Sequence, residues 1–327
     1  MIDRLFVCSA AGTNPYENLA VEETLLGRVG AGEIIFYLWQ NARTVVIGKN
    51  QNPWKECRTA LLAEEGGSLA RRLSGGGTVF HDLGNLNFTF LVPEADYDVS
   101  RQLTVIERAC KALGVPVERS GRNDLLAGGR KFSGNAFYKH EGRCYHHGTI
   151  MVDVDMDLVT RYLSPSKAKL QAKGVDSVRS RVVNLREFVP ELTIEALKAA
   201  LTAACSEVYG HPAEPLALIR ADWEKIARLT ARNRSEEWLY GRKLPFTLSV
   251  EDRFPWGGIE IRLDVNEGVI RGVQAYTDAM DDGLSQTLEA CLTGASFRND
   301  ALTEAMERTA LPQGQREDLL ALLQSAL

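Results

Sequence analysis

The chain has 327 residues, of which 45% are hydrophobic and 25% are charged, and its formal net charge is −5. This composition is typical of a globular protein that needs neither disulfides nor structural metals, and the charge does not support a nucleic-acid or acidic-lipid partner. The six cysteines are scattered and no stretch approaches the ~20 apolar residues of a transmembrane helix, so we expect a cytoplasmic protein with free thiols and no membrane partner.

The first third of the chain predicts one helix among several strands. Asn14 can cap a helix that has Pro15 at its first position, and nearby glycines end this helix at about Arg28. Runs rich in apolar, β-branched and aromatic residues predict strands at Leu5–Cys8, Glu33–Trp39, Thr44–Ile47 and Asn87–Val92. Two further strands, Leu69–Leu73 and Thr78–Phe80, are predicted on either side of a glycine triplet.

The remaining elements indicate a large domain followed by a small one. Helices are predicted at Val99–Leu113 and Thr193–Tyr209, short strands within Asp124–Gly148, and a strand at Thr149–Val154. Beyond a composition shift at Glu236–Pro245, the pattern predicts strands and then helices, at Ile259–Val265, Val269–Tyr276, 284–293, 299–308 and 313–326. Because strands cluster instead of alternating with helices, we expect an α+β fold with domains at 1–245 and 246–327.

The glycine triplet Gly75–Gly77 is the first candidate site. Glycines allow a ligand to approach the backbone closely, and successive N–H groups in such a turn can bind an anion. Two arginines and Ser74 precede the triplet, and His81 and Asn85 follow it within one short stretch. Taken alone, the glycines favour a plain hairpin turn, and a turn explains the segment Asp82–Gly84 equally well.

A second cluster combines a lysine with amide, carboxylate and imidazole groups. Lys131 lies beside Ser133 and can serve as a fixed cation where charge develops in phosphoryl or adenylyl transfer. Asp124 can contribute to a Mg²⁺ site, because this ion prefers one or two carboxylates together with phosphate oxygens. The alternatives are a solvated lysine and, for His146 and His147, ordinary strand packing.

A third cluster is the cationic segment Ser164–Arg181. A basic loop containing Gly and Ser can close over phosphates, although this segment taken alone favours a solvated basic face. Together, the three clusters suggest that the first domain activates a carboxylic acid with ATP.

Several segments resemble, in order, the motifs of bacterial lipoate–protein ligases in their two-domain form. They read RRLSGGGTVFHDLGN, GRNDL, RKFSGNAFY, HHGT and AKGVDSVRSRVVNL, with NPYENLAVEETLL near the start and RFPWGGIEIRLDV in the C-terminal part. The resemblance implies a large mixed-sheet catalytic domain of the biotin/lipoyl ligase fold, followed by a small α+β accessory domain. It also implies a small domain that rotates once an adenylate has formed.

The resemblance implies a two-step reaction that uses ATP and Mg²⁺. Lipoate would become lipoyl-AMP, and the lipoyl group would then pass to a lysine of a carrier domain. The carriers would be the acyltransferase subunits of 2-oxoacid dehydrogenase-type complexes and the glycine cleavage H protein. No residue is an evident base for the attacking amine, so that step stays unassigned.

The resemblance also assigns roles to individual residues. Lys131 would be the catalytic cation, and Asp124 would be linked to the metal or phosphate. The lipoyl and adenylate contacts would include Arg71, Ser74, Gly75, Gly76, Gly77, Val79, His81, Asn85, Asn123, Asp124, Ser133, His147 and Trp39. The adenylate-binding loop would include Lys173, Ser177, Arg179 and Arg181.

Three alternatives stay open from the sequence. An octanoyl or lipoyl transferase would use a cysteine nucleophile and no ATP, and Cys144 lies close to His146. A biotin ligase would have a similar pocket. A non-enzymatic protein would bind lipoyl-AMP or a carrier domain, but such a protein would not require Lys131.

Overall fold

The computed structural model describes residues 2–120, 124–164, 181–241 and 245–327. Its strands, which we number β1–β14, are Arg4–Ser9, Glu33–Trp39, Thr44–Ile47, Ser68–Arg71, Val79–His81, Asn85–Pro93, Val117–Ser120, Asp124–Ala127, Arg130–His140, Arg143–Met151, Ala213–Pro215, Leu248–Phe254, Gly257–Asn266 and Val269–Thr277. Its α-helices, numbered α1–α11, are Pro15–Arg28, Pro53–Glu56, Thr59–Glu64, Val99–Ala112, Met156–Tyr162, Ile194–Tyr209, Arg220–Arg234, Glu236–Tyr240, Leu284–Leu292, Asn299–Glu307 and Gln313–Gln324. None of the helices in these ranges combines the length and the apolar character needed to cross a membrane.

The chain forms two compact units. Among the described residues, the first unit comprises the chain up to Val46, Trp54–Arg71 and Val79–Leu239, and the second comprises Ile47–Pro53, Arg72–Thr78 and Tyr240–Leu327. Two short segments from the N-terminal part, one of which carries the glycine triplet, therefore cluster with the C-terminal residues. The domain boundary predicted between residues 245 and 246 stays a prediction.

A mixed eight-stranded sheet organises the first unit. Its order is β11-β1-β2-β6-β10-β9-β8-β7, with parallel pairing at β11/β1 and β1/β2 and antiparallel pairing elsewhere. Helices α4 and α6 share the main apolar core with one sheet face, which contributes Phe36, Phe88 and Phe90. Helix α1 packs against β6 and β10. The predicted α+β class with a large mixed sheet is confirmed.

The second unit contains the antiparallel sheet β12-β13-β14 and helices α9–α11. One apolar cluster joins its strands to its helices, including Ile261, Leu288 and Leu319. The strands and helices predicted from the C-terminal sequence are therefore confirmed. The alternation of Ile259, Ile261 and Leu263 places these side chains on the face that the helices cover.

Several features differ from the predictions, including the β9–β10 hairpin and helix α7. Strands β9 and β10 form a long hairpin where short strands were expected, and β10 ends at Met151 although the predicted strand continued to Val154. Helix α7 was not predicted, because most of its residues are polar and only Ile226 and Asn233 are buried. Asn233 fixes this helix by donating from Nδ2 to the carbonyl oxygen of Tyr16 in α1 at 3.0 Å.

Candidate active site

Lys131 and Asp124 lie on the neighbouring strands β9 and β8. The Lys131 ammonium is 2.6 Å from Asp124 Oδ1, and the two side chains are 30% and 40% exposed. A partly solvated pair of this kind contributes little stability, and its charges stay accessible to a ligand. The strand pairing shifts register between Leu125 and Leu126, and such bulges commonly reorient a side chain beside a site. The structure thus brings the predicted cation and carboxylate together.

Gly134 makes space for the Lys131 side chain. A Cβ atom at Gly134 would lie 3.0 Å from both Cε and Nζ of Lys131, which is closer than the ~3.5–4.0 Å of a favourable contact. Gly134 is also the strand partner of Asp124, and its N–H donates to Thr149 Oγ1 at 3.4 Å. The Lys131 side chain can therefore follow its observed path only because Gly134 has no side chain.

Ser133 lies on the opposite face of β9. It pairs with Leu125, whose side chain is fully buried in the main core, and directly paired residues direct their side chains to the same face. Ser133 is 1% exposed, and its hydroxyl makes no hydrogen bond to the described part of the chain. The predicted contact between Ser133 and an adenylate is therefore not favoured for its side chain.

The chain returns to Lys131 at the end of the predicted adenylate-binding loop. Val182 forms a parallel bridge with Lys131, and the N–H of Val183 donates to the Lys131 carbonyl oxygen at 3.0 Å. Arg181 directly precedes this bridge, so its backbone lies close to that of Lys131. The predicted site residues Asn123, Lys173, Ser177 and Arg179 lie outside the described residues.

A buried polar network lies on the sheet face that α1 covers. Trp39 Nε1 donates to Thr89 Oγ1 at 3.0 Å, and Thr89 Oγ1 donates to Glu22 Oε1 at 2.7 Å. His147 Nδ1 is 2.9 Å from the same carboxylate oxygen. A carboxylate oxygen only accepts, so His147 donates through Nδ1 and its other ring nitrogen is left as the acceptor when the ring is neutral. The network fixes the orientation of both predicted pocket residues, Trp39 and His147.

Glu22 is a site residue that sequence reasoning missed. It is 2% exposed and lies four residues after Asn18, which is also 2% exposed. Residues four apart share one face of a helix, so Asn18 and Glu22 project from the same side of α1, and this spacing was the available signal for a polar patch on the helix. Burying a carboxylate is costly unless hydrogen bonds compensate it, and Thr89 and His147 supply those bonds.

His81 belongs to a second group of buried polar side chains near Trp39. Its Nδ1 is 3.1 Å from Asn41 Nδ2 and 3.4 Å from Asn87 Nδ2, and its ring meets that of Trp39 edge-on with centroids 6.1 Å apart. Because both amides donate to Nδ1, a neutral His81 carries its proton on Nε2. Asn85 Nδ2 donates to Asn87 Oδ1 at 2.9 Å, which links the predicted residues His81 and Asn85 through Asn87.

The segment between His81 and Asn85 is a turn. The Asp82 carboxylate accepts from the N–H groups of Gly84 and Asp155, both at 2.8 Å, and burial raises the pKa of Asp82 despite these bonds. A Cβ atom at Gly84 would lie 2.0 Å from the Asp153 carbonyl oxygen, so only glycine fits. The structural explanation for Asp82–Gly84 is confirmed.

One row of paired residues connects the two parts of the first-unit site. Trp39 pairs with Asn87, Asn87 pairs with Thr149, and Gly134 pairs with Asp124, while the Gly134–Thr149 hydrogen bond joins the two halves of the row. The row crosses β2, β6, β10, β9 and β8. At ~4.8 Å per strand it runs about 19 Å from the aromatic end to the charged end.

The glycine triplet lies in the second unit, where Arg72 organises its backbone. The guanidinium donates to Ser74 Oγ at 2.9 Å and to the carbonyl oxygens of Gly75 and Gly77 at 2.7 and 2.8 Å. Arg72 is 6% exposed, so these bonds are made away from water. The middle residue, Gly76, has φ +87°, which an L side chain rarely adopts. Arg72 was not among the predicted binding residues, although it precedes the triplet directly.

Arg71 has a different environment from the one predicted. Its Nε and Nη2 donate to the carbonyl oxygens of Trp238 and Leu239 at 2.9 and 2.5 Å, and Trp238 Nε1 donates back to the Arg71 carbonyl oxygen at 3.0 Å. The residue is 8% exposed. These contacts bind β4 to the end of the first unit, so the arginine that holds the glycine loop is Arg72. Val79, also predicted, lies on β5 and pairs with Val46.

The environment of Cys144 does not suit a nucleophile. The thiol is 2% exposed, and burial together with Glu94 raises its pKa. His146 shares its sheet face, but the two ring nitrogens of His146 lie 3.0 Å from Gln102 Oε1 and 2.9 Å from Asn135 Oδ1. Burial lowers the pKa of His146 to about 3, so this imidazole is a poor base. The geometry favours an inert thiol.

Two family models match successive parts of the chain. The model described as "Lipoyl protein ligase A/B catalytic domain" matches residues 14–206, and "Bacterial lipoate protein ligase C-terminus" matches residues 243–323. The chain belongs to the lipoate–protein ligase family. It is therefore a ligase-type enzyme of that family, with the small C-terminal unit of the two-domain form.

Solved structures agree with this membership. P. falciparum LipL1, solved in complex with lipoate, is 26% identical, has a TM-score of 0.85, and matches over 98% of this chain and 100% of its own. A bipartite ligase from Thermoplasma acidophilum, solved in work that includes its E2 lipoyl domain, is 25% identical with a TM-score of 0.66 over 76% of this chain and 100% of its own. A lipoate-protein ligase A bound with ATP is 26% identical with a TM-score of 0.64, over 74% and 99% respectively.

Proposed function

We propose that this protein activates lipoate with ATP and transfers the lipoyl group to a lysine of a lipoyl carrier domain. The observation that carries the proposal is the row of paired residues from Trp39 to Asp124, which has an aromatic, enclosed end and a charged, partly exposed end. Relatives with lipoate, with ATP and with an E2 lipoyl domain support the choice of substrates.

The polarity of this row suits an apolar chain that ends in a carboxylate. Ligand pockets combine apolar walls with a few oriented polar groups, and Trp39 together with the ordered His147 provides such an end. The carboxylate then lies toward Lys131. A fixed ammonium stabilises the negative charge that accumulates where a carboxylate meets an α-phosphate. Because Gly134 has no Cβ atom, the Lys131 side chain has room to reach its ion-pair partner Asp124, which keeps the cation positioned.

In the first step, a lipoate oxygen attacks the α-phosphorus of ATP. The bond between this phosphorus and the bridging oxygen to the β-phosphate breaks, and pyrophosphate leaves. In the second step, the carrier lysine nitrogen attacks the lipoyl carbonyl carbon, the bond to AMP breaks, and the amine loses a proton. The predicted carriers are the acyltransferase subunits of 2-oxoacid dehydrogenase-type complexes and the glycine cleavage H protein.

The Asp124 carboxylate fits a magnesium ion that is held mainly by phosphates. It is 40% exposed beside Lys131, and Mg²⁺ usually takes one or two protein carboxylates together with phosphate oxygens. The described residues contain no group of three or more His, Cys, Asp or Glu side chains arranged for a metal, and a phosphate-dependent site requires none. The ion would offset phosphate charge, while Lys131 acts on the carboxylate side.

Lipoate-dependent exchange between ATP and pyrophosphate tests the proposal. We expect Lys131→Ala to fold normally, because a partly exposed lysine adds little stability, and to lose exchange. Lys139→Ala is the matched control, since Lys139 lies on the same strand and its only described ion pair is with the exposed Glu94. Exchange at the wild-type rate in Lys131→Ala would show that the central assignment is wrong. Loss of exchange in both variants would indicate damage to β9 instead.

A further inference from the structure

The segment Thr277–Asp282 begins at the last residue of β14 and packs against the glycine loop, Gly75–Gly77, within the second unit. The N–H of Gly76 donates to the Ala279 carbonyl oxygen at 2.9 Å. The Cβ position of Gly75 lies only 2.6 Å from the Ala279 carbonyl oxygen and 2.7 Å from that of Met280. Two backbone carbonyls are therefore packed directly onto the glycines that were expected to bind an anion.

The same segment is fixed on the other side by Lys49 and Asn50. The N–H of Thr277 donates to the Asn50 carbonyl oxygen at 2.8 Å, and Asn50 Nδ2 donates to the Asp282 carbonyl oxygen at 2.9 Å. Lys49 Nζ is 3.2 Å from Asp282 Oδ2, with side chains that are 22% and 28% exposed. The contact at Gly76 is thus one part of a fitted segment with anchors at both ends.

A carbonyl oxygen and a phosphate oxygen are both acceptors for a backbone N–H group. The Gly76 N–H cannot serve both at full strength, and a phosphate close to Gly75 would overlap the two carbonyl groups. We propose that Thr277–Asp282 is a built-in competitor for the ATP phosphates, which must leave the glycine loop before the nucleotide binds there. This inference rests on the proposed function and on the prediction from the sequence that Gly75–Gly77 bind the phosphates of the nucleotide.

A competitor of this kind lowers the apparent affinity for ATP by the fraction of molecules in which the loop is open. Variants that weaken the anchors should therefore lower the KM for ATP and leave the exchange rate at saturating ATP unchanged. Asp282→Asn removes the ion pair with Lys49, and Met280→Ala removes the sulfur that lies 3.0 Å from the Cβ position of Gly76. For a partly exposed ion pair such as this we expect a decrease in KM of about two- to five-fold.

The test measures KM for MgATP in lipoate-dependent exchange for the wild type and both variants. Asp300→Asn is the control, because it makes the same charge change at an exposed residue of the same unit. Hydrogen exchange of the 277–282 segment is measured in the wild type, and we expect faster exchange when MgATP and lipoate are added. A lower KM in both variants together with faster exchange supports the proposal.

Three results would contradict the proposed competition between ATP and the 277–282 segment. A lower KM in Asp282→Asn alone would indicate an effect of charge on ATP, not release of the segment. An unchanged or higher KM in both variants, or a segment that stays equally protected with nucleotide bound, would show that ATP and the segment do not compete. If the wild type shows no lipoate-dependent exchange at all, the proposed function itself fails and the inference fails with it.

Discussion

Gly134→Ala tests whether the path of the Lys131 side chain is fixed by steric fit. The new Cβ atom would lie 3.0 Å from Cε and Nζ of Lys131, so the ammonium must move by about 0.5–1 Å to reach a favourable contact. Misplacement of a catalytic group by about 1 Å can reduce the rate ~100-fold. We therefore expect lipoate-dependent exchange to fall by about 10- to 100-fold, which corresponds to ~1.4–2.7 kcal/mol in the barrier.

The stability of Gly134→Ala should change much less. The displaced atoms are the end of a flexible side chain, and loss of the partly exposed ion pair with Asp124 costs about 0.2–1 kcal/mol. Replacing a strand glycine with alanine stabilises by about 0.5–1 kcal/mol, which offsets that loss. Urea unfolding should therefore give a free energy of unfolding within ~1 kcal/mol of the wild type.

The control for this substitution is Gly12→Ala, because no atom lies within 4 Å of the Cβ position at Gly12. The reasoning is refuted if Gly134→Ala folds and exchanges at the wild-type rate. A large loss of stability would also contradict it, because the added methyl group would then be meeting rigid structure and not the lysine.

Two further predictions concern the hairpin of β9 and β10. Cys144→Ser should retain both exchange and transfer, and a variant with normal exchange but no transfer would restore the cysteine nucleophile as an explanation. Burial lowers the pKa of His146 to about 3, so this imidazole is neutral in the folded protein. Between about pH 3 and the ordinary His pKa of ~6.5, the unfolded chain binds more protons than the folded one. The free energy of unfolding therefore falls as the pH decreases through this window. Urea unfolding between pH 7 and 5 should show this loss, approaching ~1.4 kcal/mol per pH unit, in the wild type but not in His146→Gln, and equal slopes would contradict the assignment.

The sequence predicted those parts of the site whose chemistry is local. Lys131, Gly134 and Asp124 lie in short motifs, and the hairpin that brings them together involves neighbouring strands. The turn at Asp82–Gly84 was likewise readable, since aspartate and glycine have characteristic turn roles. The α+β class followed from the clustering of strands and the small C-terminal unit from the composition shift at Glu236–Pro245, whereas the mixed sheet was implied by the family resemblance.

The parts that the sequence missed depend on contacts between distant residues. Glu22 meets Thr89 and His147 only because α1 packs on β6 and β10. Of the two adjacent arginines, Arg72 holds the glycine loop and Arg71 holds the end of α8. Adjacent residues in a strand point to opposite faces, but nothing local says which face meets the loop.

The glycine triplet was a candidate anion-binding turn, and in the structure the N–H of Gly76 already has an acceptor within the protein. Gly75 and Gly76 are buried, and a buried backbone N–H without an acceptor costs about as much as a lost hydrogen bond. The Ala279 carbonyl oxygen removes that cost for Gly76. The buried N–H groups of an anion-binding loop need a hydrogen-bond acceptor both when the anion is bound and when it is not. Under the proposed competition, an internal acceptor achieves this at the expense of affinity, because an ATP phosphate would have to replace a hydrogen bond that the protein already makes.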